Sequence, residues 1–118
     1  MERKLYDSEL KVMEVLWKRG EVTAKEIAEE LYQQIGWSKT TTYTVIKKCI
    51  NKEVIKRKEP NFICCALVSK EEIQRYETDE LIEKMYDGRP DQLIASLIGE
   101  KRMEESVIAQ LKELIKDL

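Results

Sequence analysis

The stretch from Trp37 to Lys52 narrows the possible folds of this chain more than any other. Ser38 is a good helix N-cap, because its hydroxyl can accept from a free amide in the first turn. At about 100° per residue, Thr42, Val45, Ile46, Cys49 and Ile50 share one face, and Thr40, Thr44, Lys47, Lys48 and Asn51 share the other. The first face has to pack. The second carries short hydroxyl side chains near the helix N-terminus and ammonium groups further along. Just upstream, Gln33-Gln34-Ile35-Gly36 breaks a helical pattern, so a helix, a turn and this second helix are expected in succession, with Trp37 packed in the turn.

The flanks complete that motif. Asp7 or Ser8 is expected to cap a first helix, whose Leu10, Met13, Leu16 and Trp17 recur at helical spacing until Gly20 ends it. Trp17 reads as a core anchor. Glu21-Val22-Thr23 is too short to stand alone and reads as a minor strand. Thr23-Ala24-Lys25-Glu26 is a capping box, and it opens a helix with Ala24, Ile27, Ala28 and Leu31 facing inward. Past Lys52 the period becomes 2, with Val54, Lys56 and Lys58 alternating with Ile55 and Arg57. Phe62 to Val68 forms a second strand. Glu59-Pro60-Asn61 turns between them, Pro60 fixing φ and Asn61 tolerating the left-handed region. A basic hairpin directly after an amphipathic helix is the wing of a winged helix-turn-helix.

Residues 70–118 have another character. Ser69-Lys70-Glu71-Glu72 is a second capping box, followed by Ile73, Tyr76, Leu81, Ile82, Met85 and Tyr86 before Gly88. Pro90 opens a short helix with Leu93, Ile94, Leu97 and Ile98, closed by Gly99. A last helix carries Val107, Ile108, Leu111, Leu114, Ile115 and Leu118. Three helices in so short a segment have little to cover their apolar stripes. A second copy of the chain would cover them economically, and Ile82, Met85, Tyr86, Leu93, Ile94, Leu97, Ile98, Ile108, Leu111 and Ile115 are the expected contact residues. The expected class is therefore mostly α with a small β-hairpin wing, divided into a winged-helix DNA-binding domain at 1–69 and a helical dimerisation segment at 70–118.

Charge separates along the same line. The net charge of the 118 residues is −2, but residues 1–69 carry +3 and residues 70–118 carry −5. Between Lys39 and Lys58, seven basic residues (Lys39, Lys47, Lys48, Lys52, Arg57, Lys56 and Lys58) face one acid, Glu53. That is a phosphate-binding footprint, which distant acids do not cancel across a screening length of about 8 Å. Thr40, Thr41, Tyr43 and Thr44 are the expected base contacts, and Ser38, Lys39, Lys47, Lys48, Lys56, Arg57 and Lys58 the expected phosphate contacts.

Other classes fare worse. With no histidine, no Gly-rich phosphate loop and no nucleophile motif, no enzyme is expected, nor any cofactor or metal. Cys49, Cys64 and Cys65 are odd in number and lack zinc-ligand spacing, so they read as core thiols in a reducing compartment. The start Met1-Glu2-Arg3-Lys4-Leu5 has no apolar signal region and no long apolar run follows, so a cytoplasmic protein without membrane insertion is expected. The alternative is a winged-helix protein-interaction module that binds no DNA, because fold alone does not fix function.

Glu9-x-x-Val12-Met13-x-x-Leu16-Trp17, Trp37-Ser38-x-x-Thr41-x-x-Thr44, the wing, Tyr86-x-Gly88 and the short helix to Ile98 together resemble the penicillinase-repressor (BlaI/MecI/CopY) family of bacterial winged-helix repressors. The resemblance spans nearly the whole chain. It implies a homodimer, joined through C-terminal helices, that represses transcription from a double-stranded operator dyad of the TACA/TGTA type. It also implies release through a membrane sensor protease system responding to β-lactams, with the cut falling between Ser96 and Leu97. Thr41 and Thr44 match threonines of the family's reading helix, and Lys48 matches a basic position there. Tyr43 stands where an Arg often contacts DNA, Glu53 where a Gly usually ends the helix, and Cys64 and Cys65 where the wing has tyrosines. The Cys-x-Cys pair of the copper-responsive branch is missing, so copper sensing is not expected.

Overall fold

The computed structural model describes residues 4–99 and 102–116. Two compact units follow one another, residues 1–77 and 78–118. In the first, α1 (Asp7–Arg19), α2 (Ala24–Ile35) and α3 (Lys39–Asn51) surround one core, and β1 (Val22–Thr23), β2 (Ile55–Lys58) and β3 (Ile63–Ala66) form an antiparallel sheet in the order β1-β3-β2. The minor strand read from Glu21-Val22-Thr23 is a true edge of the sheet, shortened to Val22 and Thr23, with Val22 opposite Cys64 and Thr23 opposite Ile63.

The helix boundaries follow from their caps. At α2, the Thr23 Oγ1 accepts from the Glu26 amide at 3.1 Å while the Glu26 carboxylate accepts from the Thr23 amide at 3.1 Å. Ser38 caps α3 by accepting from the Thr41 amide at 3.1 Å. At the first helix the expectation of an Asp7 or Ser8 cap is corrected: the cap position is Tyr6, whose amide donates to the Glu9 carboxylate at 2.7 Å. Glu9 wins because its carboxylate has a second anchor, described below, that a surface Asp or Ser lacks. The end of α3 is a Schellman turn, in which the Val54 amide reaches the Cys49 carbonyl and the Glu53 amide the Ile50 carbonyl. Glu53 has φ 62° there, a left-handed position that glycine would occupy without strain.

The core joins all three helices and the sheet. Val12, Met13, Ala24, Ile27, Ile46, Cys49 and Cys64 are fully buried, with Leu31, Val54 and Ile55 beside them. The inward stripe expected on α2 is buried throughout, and Thr42, Val45, Ile46 and Cys49 line the packed side of α3. Trp17 packs against this core and donates its indole N–H to the Val68 carbonyl at 2.9 Å. Two details of the hairpin depart from expectation. Val54 and Ile55 are both buried whereas Lys56, Arg57 and Lys58 are all exposed, so the two-residue alternation fails once the wing leaves the body of the domain. The second strand spans Ile63–Ala66 rather than Phe62–Val68, because Phe62, at φ 53°, belongs to the turn with Asn61, at φ 74°.

Helix α4 (Lys70–Met85) starts at the expected capping box, the Glu72 amide donating to Ser69 Oγ at 3.0 Å. Its Ile73 is 3% exposed and belongs to the core of the first unit. The second unit holds the end of α4 with α5 (Pro90–Gly99) and α6 (Glu105–Lys116). Leu118 lies outside the described residues.

Candidate nucleic-acid interface

Helix α3 presents the residues expected to read DNA as one continuous surface. Thr40, Thr41, Thr44, Lys47, Lys48 and Asn51 are all exposed, while the opposite face is sealed into the core. Their hydrogen bonds define what each can offer. The Thr44 hydroxyl donates to the Thr40 carbonyl at 2.9 Å, so its outward groups are a methyl and an oxygen that can still accept. Ser38 Oγ, besides capping the helix, donates to Thr41 Oγ1 at 3.0 Å. A phosphate at Ser38 would have to take over that donation.

Tyr43 sits differently. It is half-buried, its ring meeting Phe62 edge-on at 5.8 Å and 86°. The Arg57 guanidinium lies 3.6 Å from the Phe62 ring centroid, and the Lys39 ammonium 5.6 Å from that of Tyr43. Lys39, Tyr43, Phe62 and Arg57 therefore form a row that fastens the first turns of α3 to the tip of the wing. Phe62 had no signal in the sequence beyond membership of a strand. Its role depends on a pairing between α3 and the hairpin that periodicity does not encode.

The basic residues divide into free and engaged. Lys47, Lys48 and Lys56 are exposed with no ion-pair partner among the described residues. On the wing, Arg57 pairs with Glu59, and Lys58 with Glu21 at 3.0 Å. The hydrogen bond from Lys58 holds the Glu21 carboxyl below its usual range, and the same bond raises the Lys58 ammonium. These pairs are exposed to solvent, where screening leaves such contacts weak, so a phosphate can replace the carboxylate at small cost.

Lys52 is a correction to the seven-residue footprint. Its ammonium is 2.7 Å from Glu9 Oε1, donates to the Lys4 carbonyl at 3.0 Å and lies 4.4 Å from the Tyr6 ring centroid. Glu9 is only 1% exposed. A buried carboxylate needs a cation, and Lys52 supplies it, tying the C-terminal end of α3 to the start of α1. The remaining six basic positions keep their place on the exposed side.

All three cysteines are buried and free. Burial pushes the Cys49 thiol up to about 12 and the Cys64 thiol up to about 11, and raises Cys65 as well. Such thiols stay protonated at neutral pH and are poor nucleophiles and ligands.

In the second unit no described residue is fully buried. Ile82, Tyr86, Leu93, Leu97, Ile108 and Leu111 are half-buried, and Met85, Ile94, Ile98 and Ile115 are exposed. Ser96 is half-buried, within 3.4 Å of both the Tyr86 hydroxyl and Arg102. None of the described helices is long and apolar enough to cross a membrane.

A family model described as penicillinase repressor matches residues 5–117. The methicillin resistance regulatory protein MecI of Staphylococcus aureus (strain N315) is 28% identical over 120 residues, covering 98% of each chain. A penicillinase repressor of Staphylococcus aureus is 24% identical over 113 residues, covering 94% of this chain and 90% of the relative. Among solved structures, the DNA binding domain of the repressor BlaI superposes with a TM-score of 0.54 at 26% identity, over 57% of this chain and 84% of that domain.

Proposed function

This chain belongs to the penicillinase repressor family, and from that premise we propose that it represses transcription as a homodimer on an operator dyad, reading bases with one face of α3. It is a DNA-binding transcriptional repressor with a winged-helix fold. The observation that carries the finer reading is the exposed face of α3, where threonines lie towards the helix N-terminus and lysines with no ion-pair partner among the described residues lie beyond them. Thr40, Thr41, Tyr43 and Thr44 approach base edges, and Thr44 offers a methyl group and an acceptor oxygen to the major groove. Ser38, Lys39, Lys47, Lys48, Lys56, Arg57 and Lys58 contact phosphates and set the register.

One reading helix contacts only a few base pairs, so specific binding takes two half-sites and two chains. The uncovered apolar residues of 78–118 favour that segment as the joint. Release is by proteolysis between Ser96 and Leu97 in α5, performed by a membrane sensor protease system. A helix of that length is marginal without packing, so local opening presents the bond. Cutting there separates α6 from the rest of the joint and lowers operator affinity by uncoupling the half-sites.

The test of base reading compares two substitutions on operator fragments selected by the purified protein. Lys47→Ala weakens all sequences alike and lowers the salt slope by about 1 per chain, while Thr44→Ala relaxes preference at one base pair of each half-site by about 1–3 kcal/mol. Equal loss of specificity from both changes contradicts this division of roles. Mass spectrometry of the protein from β-lactam-treated source cells tests release, and an intact chain while target genes are induced rules out cleavage.

A further inference from the structure

Phe62 carries an aromatic side chain on a left-handed backbone, at φ 53°. For a bulky residue that conformation is costly, and it persists only where the surroundings fix it. Here they fix both ends of the residue. Its carbonyl accepts from the Ala24 amide, at the start of α2, at 2.9 Å, and its own amide donates to the Glu59 carboxylate at 3.4 Å. An asparagine would fit this backbone with less strain, as Asn61 does next to it at φ 74°. What an asparagine would lose is the ring.

That ring is braced on the wing and in turn braces the reading helix. The Arg57 guanidinium lies 3.6 Å from its centroid, and Glu59 holds the same guanidinium through its Nε–H, so the carboxylate that accepts from the Phe62 amide also steadies the cation over the ring. Against Phe62 stands the Tyr43 ring, edge-on at 5.8 Å and 86°, with the Lys39 ammonium 5.6 Å from the Tyr43 centroid. The Tyr43 hydroxyl makes no hydrogen bond among the described residues and is not fully buried, so it stays open to a ligand. A phenol with a held ring and an open hydroxyl is a directional probe: two torsions place it, and its oxygen can both donate and accept.

We propose that Phe62 is a positioning residue for base recognition: it fixes the Tyr43 ring so that the phenol hydroxyl meets one base edge, and makes no DNA contact of its own. The proposal rests on the reading of α3 as the DNA-reading helix, and it places a determinant of specificity on the wing, outside that helix. A ring that served packing alone would change affinity for every sequence alike. A ring that positions Tyr43 changes preference at the base pair Tyr43 meets and at no other.

The experiment measures binding of the full chain to its selected operator, and to operators with each half-site base pair replaced in turn, across a salt series. Tyr43→Phe keeps the ring and its packing, and is expected to lower preference at one base pair by about tenfold per half-site. Phe62→Leu is expected to lower preference at that same pair by about three- to tenfold per half-site, the worth of an aromatic pair. The other preferences and the salt slope keep their parent values, because no phosphate contact is removed. Phe62→Tyr, which restores the ring, restores the preference. In the Tyr43→Phe background, Phe62→Leu changes preference at that pair no further. Phe62→Asn relieves the backbone while removing the ring and repeats the Phe62→Leu result, and thermal melting of each variant separates a folding defect from a change in reading. If the parent binds DNA with neither salt dependence nor base preference, the reading of α3 itself fails. If the parent reads its operator, and Phe62→Leu and Phe62→Asn leave every base preference at the parent value, or shift it equally with and without the Tyr43 hydroxyl, the positioning role alone is overturned.

Discussion

Residues 1–77 and 78–118 are both rich in helices with apolar stripes, and they differ in what those stripes touch. In the first unit, Val12, Met13, Ala24, Ile27 and Ile46 reach zero exposure. In the second, Met85 and Leu114 remain 66% and 68% exposed. Periodicity reveals which face of a helix is apolar, but coverage depends on what the rest of the fold brings to that face. The winged helix closes its core with its first three helices, its sheet and Ile73 from the start of α4. The C-terminal helices, by themselves, do not.

The largest effect sharpens that contrast. Ile46→Ala, in the closed core, should cost about 2–5 kcal/mol in urea unfolding, independent of protein concentration. Leu114→Ala should cost less, and its cost should shrink as the protein is diluted through the range where pairing fails. A concentration-independent loss at Leu114 as large as that at Ile46 would mean that the second unit completes a core alone.

Next comes the ion pair that holds the reading helix. Lys52→Ala leaves the Glu9 carboxylate, 1% exposed, without its cation. The expected cost is about 3 kcal/mol in thermal or urea unfolding, the low end for stranding a buried charge because the Lys52 side chain is itself 25% exposed. Loss of DNA binding with unchanged stability would return Lys52 to the basic footprint.

Much of this was legible in the residues themselves. The capping boxes at Thr23 and Ser69, the Ser38 cap and the inward stripes of α2 and α3 are local, and local chemistry decides them. The wing was visible in outline but not in detail, since the loss of alternation at Lys56 follows from where the hairpin leaves the body of the domain. Lys52 looked like every other lysine of its run. Only the fold carries it to Glu9, 43 positions away in the chain. Likewise Phe62 gained its place against Tyr43 and Arg57 from tertiary pairing that no spacing rule contains.

A third effect concerns pH and belongs to the closed unit alone, where all three thiols lie. Cys49 and Cys64 titrate at about 12 and about 11 when folded, above the ordinary value of 9.0. Below pH about 9 both states keep the thiol proton and nothing changes. Above it the unfolded chain loses protons that the native chain retains, so the native state is disfavoured. Stability should therefore fall by up to about 1.4 kcal/mol per pH unit for each thiol until the folded value is reached. Urea unfolding between pH 8 and 11, with Cys49→Ala and Cys64→Ala as comparisons, checks the slope; an unchanged slope in both variants would remove the thiols as its cause.

The smallest effect probes how complete the closed core is. Thr42 has zero exposure and its Oγ1 has no hydrogen-bond partner among the described residues. Thr42→Val keeps the shape and removes the unsatisfied group, and should raise stability by about 1 kcal/mol. A loss of stability instead would show that the hydroxyl is satisfied in solution.

The account turns on one unit reading DNA and the other joining two readers, so the direct measurement is of mass and affinity together. Sedimentation equilibrium and binding to the selected dyad would be compared for the full chain and for residues 1–77, a fragment that keeps the core residue Ile73. The expected result is a dimeric full chain that binds the dyad tightly, and a folded monomeric fragment that binds it weakly and no better than a single half-site. A monomeric full chain, or a fragment that binds the dyad as tightly as the full chain, would contradict the account.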